Sequence, residues 1–273
     1  MQVKAREFSF DVVIDGPADG VPVLLLHGFP QDHREFDLIR PKLHAAGLRT
    51  IAYDQRGYAP GARPADPAAY TPLEAATDAV AIMDTLGVPA FHLIGHDWGA
   101  VVSWLVTALH PERVRTLTAV SVPHPAAMAK ALADDESQRE QFGYQAMLAA
   151  PDGEDSVRAD DFAWFRRALA PIGDRAEQYI DAMRDPGRLT GAVNWYRALR
   201  VGDWAELPAV TVPTTFVWSD SDLAIGATAA HLCADWVSGD YRFVALSGVS
   251  HWIPEEAPGA LLDAALARIT PEG

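Results

Sequence analysis

Apolar residues along this chain fall into short runs, separated by longer stretches that carry one apolar face. Phe8 to Ile14 alternates apolar with polar, the period of a strand with one wet face, and predicts an early antiparallel strand. Val21 to Leu26 is continuously apolar and reads as a strand buried on both faces. Leu48 to Tyr53, Phe91 to Ile94, Val114 to Val120, Thr214 to Trp218 and Tyr241 to Leu246 read as further strands of the same sheet. Helical patterns occupy Phe36 to Ala46, Pro72 to Leu86 and Ala257 to Ile269, and another helix starts near Trp98 with no spacer after its strand. Strands alternating with helices predict a mostly parallel sheet joined by crossover helices.

The alternation stops between Pro123 and Leu207, which holds helical segments but no convincing strand. The expected architecture is therefore α/β. A core domain of residues 1–122 and 208–273 carries a helical cap domain, residues 123–207, inserted after the strand that ends near Val122.

Composition narrows the class. With 273 residues and 49% apolar content, the chain has ample material for a soluble core. A net charge of -15 repels nucleic acid and anionic lipid, and disfavours a strongly anionic substrate unless local arginines reverse the field. No apolar run reaches membrane-spanning length, and Met1 to Asp11 lacks the apolar stretch of a signal peptide. A single cysteine, Cys233, allows no internal disulfide. These features predict a cytoplasmic protein that meets neither nucleic acid nor membrane; either a monomer or a homodimer is compatible with them.

The strongest chemical signal is Gly95-His96-Asp97-Trp98-Gly99, between a predicted strand and a predicted helix. A nucleophile elbow needs this strand-turn-helix context, with glycines around a strained residue at the tip. Here the tip residue is Asp, although an ordinary turn with Asp97 as helix cap has the same pattern. Two other segments favour the elbow. His27-Gly28-Phe29-Pro30 follows a strand directly, so the backbone N–H of Phe29 and that of Trp98 can form an oxyanion hole. Later, Trp218-Ser219-Asp220-Ser221-Asp222 and Gly248-Val249-Ser250-His251-Trp252 each close a strand, giving the order nucleophile, acid, histidine. Asp222 is the expected partner of His251 because it lies further into its loop, with Asp220 as the competitor. His92 and His96 are spaced i, i+4 but fall on a strand and a turn, which argues against a metal pair. No phosphate-binding glycine loop is present, and no cofactor is expected.

With Asp54-Gln55-Arg56-Gly57-Tyr58, these motifs make the chain resemble the α/β-hydrolase fold superfamily, and within it the epoxide hydrolases. The resemblance runs from about Phe8 to the C-terminal helix. It implies a covalent ester between substrate carbon and Asp97, hydrolysed by water that His251 activates. It also implies two cap tyrosines that donate to the epoxide oxygen. Phe142-Gly143-Tyr144-Gln145 and Asn194-Trp195-Tyr196-Arg197 resemble those segments and nominate Tyr144 and Tyr196. Pro30, His124, Trp195 and Trp252 are the expected pocket neighbours, and a small uncharged hydrophobic epoxide the expected substrate. Trp164 and Trp204 are assigned to cap packing. The rival enzyme is a haloalkane or haloacid dehalogenase with the same nucleophile, although the residues around Phe29 and after Asp97 depart from those families. A non-catalytic binding protein is the rival of another class.

Overall fold

The computed structural model describes residues 1–204 and 206–269. Ala205 of the expected insertion and residues 270–273 of the expected core lie outside the described residues. Eight strands form one sheet: β1 Gln2–Ala5, β2 Phe8–Asp15, β3 Val21–Leu26, β4 Leu48–Tyr53, β5 Phe91–His96, β6 Val114–Val120, β7 Thr214–Ser219 and β8 Tyr241–Leu246. Their order is β1-β2-β4-β3-β5-β6-β7-β8. The first two pairings, β1 with β2 and β2 with β4, are antiparallel; every later one is parallel. The central strand β5 is buried at all six positions, which is why its sequence shows no alternation. β1 is an edge strand of mixed residues and gives no apolar run to read.

Helices cover both faces. α1 Arg40–Ala45 packs on one, and α2 Pro72–Thr85 and α3 Trp98–Leu109 on the other. α1 is shorter than the apolar pattern from Phe36 predicts. Pro41 lacks an amide N–H and fits only the first turn, so the chain before it forms a separate 3-10 turn, His33–Phe36. α2 starts at a Thr71 cap whose hydroxyl accepts from Glu74 N at 3.3 Å. α3 is apolar on nearly every side and is buried from Trp98 to Thr107, held between the sheet and α2.

Between β6 and β7 the chain is helical: α4 Pro125–Asp134, α5 Glu136–Gln141, α6 Tyr144–Ala149, α7 Gly153–Ala168, α8 Arg175–Met183, α9 Pro186–Arg197 and α10 Val201–Trp204. After β7 come α11 Ala227–Leu232, α12 Ile253–Glu256 and α13 Pro258–Ile269; α13 packs beside α1. The described fold is an α/β-hydrolase fold, a mostly parallel sheet flanked by helices. No described helix is long and apolar enough to cross a membrane.

Candidate active site

The site grows from the β5–α3 junction. Asp97 holds φ 52° and ψ -120°, a backbone state costly for a residue with a Cβ. Two glycines make that turn possible. A Cβ at Gly99 would collide with the Leu26 carbonyl of β3, and one at Gly95 with the Gly99 carbonyl and the Ser103 hydroxyl. Glycine at both places lets α3 start against the sheet and leaves the Asp97 side chain beyond the strand ends.

Asp97 Oδ1 accepts from the Phe29 N–H at 2.7 Å. The Trp98 N–H heads α3 and has no partner within the helix. Asp97 Oδ2 lies 3.3 Å from His251 Nε2, and His251 Nδ1 lies 2.7 Å from Asp222 Oδ2. Asp222 is held in turn by the N–H groups of Ala224 and Ile225, at 2.8 and 3.0 Å. Asp220 points elsewhere: it is exposed and accepts from Ser247 and the Gly248 N–H.

Charge follows this geometry. Burial works against a charged His251, but Asp222 and then Asp97 outweigh it and raise its pKa to about 10. Burial would likewise raise Asp97, yet His251 and the Phe29 amide hold it below the ordinary carboxylate value. At neutral pH the His251 imidazolium thus stands between the Asp97 carboxylate and Asp222.

Tyr144 at the head of α6 and Tyr196 near the end of α9 line the same cavity as Asp97. Their rings are 6.2 Å apart, and the Tyr196 ring meets Phe29 at 5.0 Å and Trp98 at 5.4 Å. Burial raises both phenols, and the Asp97 charge raises them further, so both stay protonated and able to donate. The cavity measures about 360 Å³ and is also lined by Pro30, Trp164, Phe165 and Trp252, with Arg167 and the exposed Leu223 at its outer end.

Two expected pocket residues turn away from it. His124 caps its own helix, its Nδ1 accepting from Ala126 N at 3.2 Å, and its ring stacks on Trp236. Trp195 precedes Tyr196 on α9, and one helical step of about 100° puts the two on different faces. Its indole donates to the Arg56 carbonyl at 2.9 Å, in the core. Trp164, read as packing, instead borders the cavity, and so do Phe165 and Ala168 of α7.

Glu35 escaped the sequence reading. It is fully buried below Asp97, accepts from the Gly28 N–H at 3.0 Å, and its other oxygen lies against His96 Nδ1. Burial raises Glu35 well above the usual carboxylate range and lowers His96 to about 4, which favours the uncharged form of each. His96 Nε2 then donates to the His251 carbonyl at 2.9 Å, which also accepts from Ser121 Oγ at 2.8 Å. This chain fixes the backbone that carries His251. The sequence offered only an acid in a polar stretch, with nothing to mark it as buried.

Beside the site, Arg188 of α9 bridges Asp32 at 2.9 Å and Asp54 at 3.2 Å and lies over the Tyr58 ring. Asp32, His33 and Asp54 have the donor set of a metal site. The guanidinium groups of Arg188 and Arg34 already meet those carboxylates, so the cluster works as a latch between α9 and the sheet edge. His92 bonds Thr116 at 2.8 Å and has no part in the His96 network.

A family model described as alpha/beta hydrolase fold matches residues 21–258. The chain is 30% identical to epoxide hydrolase A of Mycobacterium tuberculosis, over 94% of this chain and 93% of the relative. It is 32% identical to the AB hydrolase superfamily protein YfhM of Bacillus subtilis, over 94% of this chain and 92% of the relative. A solved structure described under novel epoxide hydrolases in metagenomes from hot environments superposes with a TM-score of 0.88 at 27% identity, covering 100% of this chain and 98% of that one.

Proposed function

We propose that this chain, which belongs to the α/β-hydrolase fold family and to its epoxide hydrolase branch, opens a small, uncharged, hydrophobic epoxide to a vicinal diol through an ester on Asp97. One observation carries the reading: two protonated phenols, Tyr196 buried and Tyr144 half-buried, share a mostly apolar cavity with a buried ionised carboxylate. A carboxylate on this elbow suits attack on an electrophilic sp³ carbon, and ring opening then needs donors for the alkoxide it releases.

The proton inventory closes. Asp97 Oδ2 attacks a ring carbon, the C–O bond breaks, and Tyr144 and Tyr196 donate to the leaving oxygen. Esterification removes the Asp97 charge that helped to hold the His251 proton. His251 therefore gives up that proton, which restores the phenols and leaves the product hydroxyl neutral. Neutral His251, oriented by Asp222, next takes a proton from water as its oxygen attacks the Asp97 carbonyl carbon. The N–H groups of Phe29 and Trp98 receive the developing oxyanion. Collapse frees the diol and returns Asp97 as carboxylate and His251 as imidazolium. Residues 123–207 act as the cap that brings the tyrosines over the elbow.

The test is a panel of epoxides and haloalkanes scored for diol and for halide. Diol release from epoxides is expected; halide release without any diol would replace this reading with a dehalogenase.

A further inference from the structure

Two unequal spaces share the residues of the site, and their sizes deepen the epoxide reading on which this inference rests. Asp97, Tyr144, Tyr196, Ala224 and His251 line both the cavity of about 360 Å³ and a second one of about 20 Å³. One water needs about 10–15 Å³ of such space. The larger side runs past Trp164, Phe165 and Trp252 to exposed Leu223 and Arg167. The smaller is backed by Val122, Met128, Phe142 and Trp204, of which all but Phe142 are buried.

An oxirane held with its oxygen at the two phenols and its opposite side toward Asp97 has both ring carbons at the residues that the two spaces share. One ring carbon then faces each side. We propose that the substrate is a terminal epoxide: its CH₂ carbon faces the small side, and its single substituent fills the large one. The small side has room for about one further heavy atom, a methyl group, by the measure of one water apiece. An ethyl or phenyl group there must displace Met128 or Phe142, and a close-packed lining resists that. The large side is mostly apolar, with Trp164, Phe165 and Trp252 along it, so an aryl or extended alkyl substituent fits it.

The experiment compares kcat/KM for a terminal aryl epoxide with its 2,3-disubstituted analogues bearing methyl, ethyl or phenyl on the second carbon. The methyl analogue is expected within about tenfold of the parent, and the ethyl analogue a further 10- to 200-fold lower, the effect of about one methylene in a tight pocket. Met128→Ala should raise the ethyl-to-terminal ratio by about tenfold or more on the same scale. Phe142→Ala, at a half-buried position, should do so as well if loss of the Met128 side chain impairs folding. Wild-type enzyme that hydrolyses the ethyl or phenyl analogue as well as the terminal epoxide overturns the proposal and leaves the epoxide reading standing. So does a ratio that neither folded variant moves. Absence of turnover on every oxirane overturns both.

Discussion

Replacing His251 by Gln separates the two halves of the proposed chemistry. The wild-type ring stands 3.3 Å from Asp97 and 2.7 Å from Asp222, and carries a proton at neutral pH. The variant keeps the Asp97 carboxylate, both phenols and both amides, so it can still form the ester. It lacks a base for water. Loss of a positioned general base slows the hydrolytic step by about 10²–10⁴, or roughly 3–5 kcal/mol. Alkylation should fall by only about tenfold, because the phenols remain as donors. Ester therefore accumulates. The change also leaves two buried carboxylates without their shared cation, at about 3–5 kcal/mol of stability, so a folded state must first be verified by circular dichroism. Intact-protein mass after rapid mixing with a terminal epoxide should then show one added substrate, on the peptide that contains Asp97. In wild type, a single turnover in ¹⁸O-water should label Asp97 and leave the diol unlabelled, because water attacks the carboxyl carbon. A folded variant with no adduct, or a wild-type diol labelled in its first turnover, would refute the covalent route.

Three further outcomes follow from the same geometry. Tyr196→Phe should slow alkylation by about 10²–10⁴ with little change in ester hydrolysis; equal slowing of both steps in single-turnover kinetics contradicts a role at the leaving oxygen. Arg188→Met leaves Asp32 and Asp54 without their shared guanidinium, and should cost about 3–5 kcal/mol in urea denaturation, with a loss of less than 1 kcal/mol sinking the latch. The folded pKa of His251, about 10, lies above its ordinary 6.5, so its contribution to stability is complete below about pH 6.5 and is lost as the pH climbs through about 10. Denaturation midpoints should accordingly fall across that window in wild type and fall less in His251→Gln; parallel profiles would remove the imidazolium from the resting site.

The inner strands were legible because burial writes them as short, mostly apolar runs, and the edge strand β8 because its polar residues stay few. β3, β4, β6 and β8 have the bounds that their runs predict. β1 was not legible, since an edge strand of polar and small residues carries no such run. In the candidate site, Asp97 and His251 were readable from glycines and chain order, which constrain the backbone locally. Trp195 and His124 were misplaced because a neighbour in sequence is not a neighbour on a helix face, and because a histidine at a helix start can cap its own amides. Glu35 was invisible for a different reason. Its burial depends on β5, α12 and the Gly28 turn closing over it, and no local pattern encodes that closure.

The two tyrosines stand on a different stretch of chain from every group assigned to the ester. Asp97, Asp222, His251 and both amides belong to the sheet and its loops; Tyr144 and Tyr196 arrive on α6 and α9. In the proposed chemistry the donors to the epoxide oxygen and the groups that hydrolyse the ester thus stand on separate stretches of chain. Grafting residues 123–207 onto a related sheet, with partners kept for Arg188 and the Trp195 indole, is expected to change the epoxides accepted and to leave ester hydrolysis in place.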